Sequence, residues 1–224
     1  MIDAHIHLDQ YSDKKLRTNI PLWQELGIKH VIAVSTNLAS AYRTLELKVA
    51  YPHFVKACIG FHPEFAQPTS KEIDEMKQLI KIERTKLTAI GEIGLPHYEA
   101  NHVAKMPFYI QLLDELLATA KEYQLPVALH AVHDKAATAL SILQKNDIQQ
   151  AHFHWFKGPK DVLSDIIQCG YYVSITPEIC YLERDQKLVQ HVPLHQLLIE
   201  TDGLGNMTTY FIINKQHLYF YSRS

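Results

Sequence analysis

The chain opens MIDAHIHLDQ, with His5 and His7 two residues apart inside an apolar stretch that starts at the first residue. In a strand, residues two apart point to the same side, so both imidazoles face one way and could hold one metal ion. Residues of the same kind recur further on. Glu92 lies in the apolar run AIGEIGLP, and His130 at the end of PVALH. His152 and His154 stand two apart in AHFHWF, and Asp202 follows in LLIETDG. Neutral imidazole and carboxylate suit zinc, manganese or an iron-like divalent ion. The four histidines His5, His7, His130 and His154, with Glu92 and Asp202, would hold two ions with one carboxylate shared.

Each residue alone has an ordinary explanation. A single strand histidine is more often a hydrogen-bonded core residue than a ligand. Glu92 could pair with a lysine as readily as with a metal, and Asp202 could cap a following helix. The ordinary explanations do not put all of them at the ends of successive apolar runs. His152 shares a face with His154 but lies deeper, so it is expected behind the site or in the core.

These residues need a scaffold that brings strand ends together. Short β-rich runs alternate with amphipathic stretches throughout. The pattern predicts strands at Ile2–His7, His30–Ser35, Phe54–His62, Leu87–Ile93, Pro126–Ala131, Ala151–Trp155, Tyr171–Thr176 and Leu197–Thr201. Helices are predicted over Leu16–Leu26, Leu38–Ala50, Lys71–Arg84, Met106–Tyr123, Asp134–Gln144 and Lys160–Cys169. In the clearest of them, Phe108, Leu112 and Leu116 share a face with Leu113, Leu117 and Ala120. Gly158-Pro159 starts the Lys160 helix and Gly170 ends it. Alternation of this kind points to α/β architecture and a closed (β/α)8 TIM-type barrel, whose strand carboxyl ends converge on one catalytic face. An open doubly wound sheet is the rival; no Gly-x-Gly-x-x-Gly follows the first strand.

Composition sets the outer bounds. The 224 residues, 47% hydrophobic, suffice for one barrel over 1–224. A formal net charge of −2 gives no support for a strongly basic nucleic-acid module. Cys58, Cys169 and Cys180 are far apart and read as ordinary thiols of a reducing compartment. No basic-then-apolar leader opens the sequence, and no run approaches the ~18 apolar residues of a membrane span. A cytoplasmic, soluble monomer with no membrane partner is expected.

The order DAHIH, GFHP, GEIGL, LPVALH, HFHWFKG and LLIETD resembles the TatD-type metal-dependent deoxyribonucleases, a branch of the amidohydrolase-like barrels. The resemblance covers about residues 1–205. It implies a dinuclear hydrolase of phosphodiester bonds using two divalent ions (zinc, manganese or magnesium), with DNA as substrate. By resemblance, His5 and His7 are ligands of one ion, joined by Asp202. His130 and His154 are ligands of the second, and Glu92 is the bridge. Catalysis is expected from Asp202, Glu92 and His62 of GFHP, with His62 and His133 contacting substrate.

The sequence also departs from that family. Pro96 stands where the family usually has Asp, and Val132, followed by His133, stands where it often has Arg. Lys135 and Lys157 could add positive charge, but each reads more simply as a solvated surface residue. After ETDG, residues 206–224 lack helical periodicity and are rich in Tyr, Phe and Ile. An atypical tail is therefore expected in place of a last helix, lying across the barrel seam. The departures leave two alternatives open: a small-molecule ester or amide hydrolase on the same site, or a degenerate barrel without activity.

Overall fold

In the computed structural model of the chain, residues 1–203 are described. The elements run β1 (Ile2–Ile6), α1 (Asp13–Glu25), β2 (His30–Val34), α2 (Leu38–Ala50), β3 (Val55–Ile59), α3 (Ser70–Glu83) and β4 (Leu87–Gly94). They continue through α4 (Ala100–Val103), α5 (Met106–Tyr123), β5 (Val127–His130), α6 (Lys135–Lys145) and β6 (Ala151–Phe153). Then come α7 (Lys160–Gln168), β7 (Tyr172–Ile175), α8 (Glu183–Val189) and β8 (Leu197–Ile199). The eight strands pair in chain order, every pair parallel. This is the expected (β/α)8 barrel arrangement.

Local chemistry explains the boundaries. Ser12 caps α1 by accepting from Lys15 N–H, and Asn37 caps α2 by accepting from Ser40 N–H. Thr69 and Glu72 form a reciprocal capping box at α3. Gly170 takes φ +77 just after α7, a left-handed turn that glycine adopts without steric cost. All of the expected strands and helices occur. The expected strand Phe54–His62 stops at Ile59, and His62 N–H instead bonds Thr36 O at 3.0 Å. Two short helices were not legible in the sequence. In α8 the single buried residue is Asp185, so that helix has no apolar stripe to read.

Strand residues alternate between two surroundings. Val31, Ala33, Val55, Ala57, Ile59, Val127, Leu129, Phe153 and Val173 pack outward in the clusters shared with the helices. The other parity carries a small set of Val34, Cys58 and Ala89. It also carries buried polar side chains: Asp3, His5, His7, His130, His154, Ser174 and Glu200. Buried polar groups persist only when partnered, so this inner set marks where the barrel does something other than pack.

β1 and β8 meet without a regular ladder among the described residues. The seam is joined by Asp202 N–H to His5 O at 3.0 Å. Asp3 completes it, accepting from Thr201 N–H at 3.0 Å and Thr201 Oγ1–H at 2.6 Å. The anticipated tail 206–224, with its expected packing and the expected loss of a last helix, lies outside the described residues. Among those residues no helix is long and apolar enough to cross a membrane.

Candidate metal centre

Glu92 sits at the centre of a histidine cluster and is fully buried. Its Oε2 lies 3.0 Å from His5 Nε2 and 3.4 Å from His7 Nε2. Its Oε1 lies 3.0 Å from His130 Nδ1, 2.9 Å from His154 Nε2 and 3.2 Å from His62 Nε2. Asp202 Oδ1 closes the first side, 3.7 Å from His5 Nε2 and 3.5 Å from His7 Nε2. On the second side His130 Nδ1 and His154 Nε2 are 3.4 Å apart. The structure thus gathers His5, His7, His62, Glu92, His130, His154 and Asp202 in one place.

The backbone sets this convergence. β4 carries two irregularities in register: one against β3 between Leu87 and Ala89, and one against β5 between Ile90 and Ile93, the interval that holds Glu92. Gly94 is needed there: at φ +155, a Cβ would lie 1.9 Å from His130 O. Asp202 takes φ +51, the left-handed region, and its N–H is held by His5 O. Aspartate is among the few residues that tolerate this conformation.

The donor set fits divalent metal. Two ligands each about 2.0–2.1 Å from one tetrahedral zinc lie roughly 3.3 Å apart. The separations around His5, His7, Glu92 and Asp202 run from 3.0 to 3.7 Å, and those around His130, His154 and Glu92 from 2.9 to 3.4 Å. His5–Glu92–His154, His5–His7–Asp202 and His7–His62–Glu92 each present ligand atoms within 4.8 Å of one another.

Electrostatics agree with a site built for cations. Burial would raise the Glu92 carboxyl, but His62, His154, His5 and His130 hold it well below its usual range. Burial likewise opposes charge on His154, yet Glu92 and Glu200 raise it well above an ordinary histidine. Burial pushes His62 down to about 4 despite Glu92, so it is neutral at pH 7. His62 Nδ1 accepts the Glu64 N–H at 3.1 Å, which leaves its proton on Nε2.

Two carboxylates escaped the sequence reading. Glu200 Oε1 accepts from His154 Nδ1 at 3.2 Å, while its Oε2 accepts from Ser174 Oγ at 2.5 Å. Ser174 in turn accepts from His152 Nε2 at 2.7 Å and Trp155 N–H at 3.0 Å. His152 therefore stands behind the cluster, as its deeper position suggested. Glu200 is two residues before Asp202, the same strand parity that identified His5 and His7. Glu200→Gln should leave His154 less firmly oriented and lower turnover about 10–100-fold, the usual cost of losing an outer partner of a ligand histidine. Steady-state kinetics with metal titrations would check it.

The second is Glu64, which accepts the N–H groups of His97, Tyr98 and Glu99 at 2.5, 3.0 and 2.8 Å. It also lies 3.4 Å from His130 Nε2. Burial would raise the Glu64 carboxyl, but His130 and these three amides hold it down at about 2. A carboxylate depressed on folding stabilises above its unfolded value, and that gain is lost as pH falls through the folded value. Glu64→Gln should therefore be less stable than wild type at pH 7, and the gap should narrow between about pH 5 and pH 2. Urea unfolding at pH 7 and pH 3 measures both.

His133 occupies the rim rather than the cluster. It has φ +53, its ring is 4.5 Å from that of His97, and its Nε2 is 3.4 Å from Tyr98 Oη. Lys135 is not a solvated surface residue, being bonded to Asp134 at 2.5 Å and partly buried. Nor is Lys157, whose partly buried ammonium sits 3.2 Å from the centre of the Trp155 ring.

Residues 2–204 match the family of TatD related DNases. The chain belongs to the TatD family. It is 39% identical over 205 residues to an uncharacterized metal-dependent hydrolase of Haemophilus influenzae, covering 91% of this chain and 80% of that protein. It is 28% identical over 214 residues to the human deoxyribonuclease TATDN3, covering 91% and 77%. Among solved structures, the TatD homologue YjjV of Escherichia coli superposes with a TM-score of 0.81 at 26% identity, covering 90% of this chain and 78% of that one. In this TatD-family chain the residues matched by the family model span the whole inner cluster, from His5 to Asp202.

Proposed function

We propose that this TatD-family chain is a hydrolase that uses two divalent ions to cleave phosphodiester bonds, with DNA as the substrate class. One observation supports this most: the two oxygens of Glu92 face two different sets of imidazoles. His5, His7 and Asp202 would hold the first ion, His130 and His154 the second, with Glu92 shared between them. Such ions, when bound, lower the pKa of a water from 15.7 to about 7 and polarise a phosphoryl oxygen.

The protein side supplies the proton chemistry. Asp202 is the most accessible acid of the cluster, with 18% of its side chain exposed. Burial opposes its ionised form, but His7, His154 and His5 keep it below its usual range. It is thus a carboxylate at neutral pH, able to orient an attacking water and accept its proton. His62 Nε2–H, 3.2 Å from Glu92 Oε1, can donate a hydrogen bond to a phosphate oxygen while the ring stays neutral. His133, on the rim, is placed to meet substrate further out. Named relatives support the reading: a metal-dependent hydrolase and a deoxyribonuclease are both similar over nearly the whole chain.

Val132, where an arginine would suit phosphate, favours a second reading, a small-ester or amide hydrolase on the same cluster. Assays of the metal-loaded protein on single-stranded DNA, bis(4-nitrophenyl) phosphate and simple amides separate the two. Phosphodiester cleavage is expected; amide or carboxylic-ester turnover alone would overturn it.

A further inference from the structure

The segment just after His154 is rigidly held. His154 N–H bonds Leu129 O at 3.1 Å, Trp155 N–H bonds Ser174 Oγ at 3.0 Å, and Phe156 N–H bonds Ser174 O at 3.2 Å. Phe156 is buried and fills the space beneath Gly158, where a Cβ would lie 2.6 Å from its ring. The next side chain, Lys157, is therefore presented from a fixed root. Its ammonium rests on the Trp155 ring at 3.2 Å from the centroid, a cation–π contact that orients it.

Among the described residues this ammonium has no hydrogen bond and no ion pair. Its electrostatic neighbours are Glu178, Arg184, Asp185 and Asp202, the last being the acid of the metal cluster. Arg184 is already engaged, its Nε 2.6 Å from Asp185 Oδ1 and its Nη2 3.5 Å from Glu178. His133, across the rim, is pushed toward its neutral form by burial, by His97 and by Lys157 itself. Lys157 is thus a partly desolvated, pre-positioned cation beside the cluster, with three donors and no acceptor. An ammonium so placed recognises phosphate as a point charge.

We propose that Lys157 binds a second phosphate of the substrate, one flanking the phosphodiester that is cleaved. Lys157 then selects polynucleotide chains over isolated diesters. This rests on the phosphodiester reading above.

The test uses the metal-loaded full chain and a short oligothymidylate in which each linkage in turn is replaced by a neutral methylphosphonate. On the all-phosphate strand, Lys157→Gln should raise KM roughly tenfold, the scale of one charge-assisted hydrogen bond, with kcat little changed. On bis(4-nitrophenyl) phosphate, which has no second phosphate, the same variant should match wild type. One flanking methylphosphonate should cost wild type a similar factor and cost the Gln variant nothing further. Lys157→Arg, which keeps the charge, should recover most of the loss. A Gln variant that behaves as wild type on every strand, or that loses equally on the small diester, would overturn the role of Lys157 while leaving the phosphodiester reading intact. A wild-type protein that cleaves no phosphodiester would overturn that reading and this role with it.

Discussion

Glu92→Gln should lower kcat/KM by at least about a thousandfold, equivalent to roughly 4 kcal/mol of transition-state stabilisation. Glu92 is the fully buried acid on which His5, His7, His62, His130 and His154 all converge. The amide keeps the shape but removes the charge and leaves one oxygen able to ligate. Both proposed ion positions then lose affinity together. The metal-free protein should suffer as well, because His154 is raised by Glu92 and Glu200. Without Glu92 that buried imidazolium keeps only Glu200 as a charged partner of those two, and breaking one partner of a buried charged set costs about 3–5 kcal/mol. Kinetics at saturating metal and urea unfolding in chelator measure the two effects. Turnover close to wild type in the purified variant would refute the bridging role.

Asp202→Asn should lower kcat by a comparable factor, about a thousandfold, while leaving KM and the melting temperature nearly unchanged. The backbone at this position is left-handed, which asparagine also tolerates. The seam contact from its N–H to His5 O involves no side-chain atom. The amide loses the capacity to accept a proton and also the charge of one proposed ligand of the first ion. The first loss should persist when the metal concentration is raised, whereas the second should be recovered. An Asn variant that recovers full activity at high metal would assign Asp202 to ligation only.

The inner cluster was legible in the sequence because its residues are spaced for it. His5 in β1 with His7 just past its end, His154 just past the end of β6, and an acid within the apolar run of β4 all follow strand parity. The fold was legible for the same reason, since strand and helix periods alternate cleanly. The residues that hold the ligands in place were harder to see. Asp3 meets Thr201 across 198 positions, and Glu64 meets residues 97–99 across more than thirty. No local pattern links such partners; only the closed barrel brings them together. Lys157 reads as solvated because a lysine before a Gly-Pro pair usually faces water, whereas here the Trp155 ring, two residues back, lies under its ammonium. Glu200 carried a usable signal, its parity with Asp202, which the apolar run before it obscured.

The most direct test of the central claim, a dinuclear site bridged by Glu92, is metal content. The full chain would be purified without chelator, equilibrated with zinc or manganese, freed of excess ion and analysed for metal per folded chain. Two ions per chain are expected for wild type, with a clear fall in Glu92→Gln. A folded protein that holds only trace metal, or that saturates at one ion and is unaffected by Glu92→Gln, would contradict it.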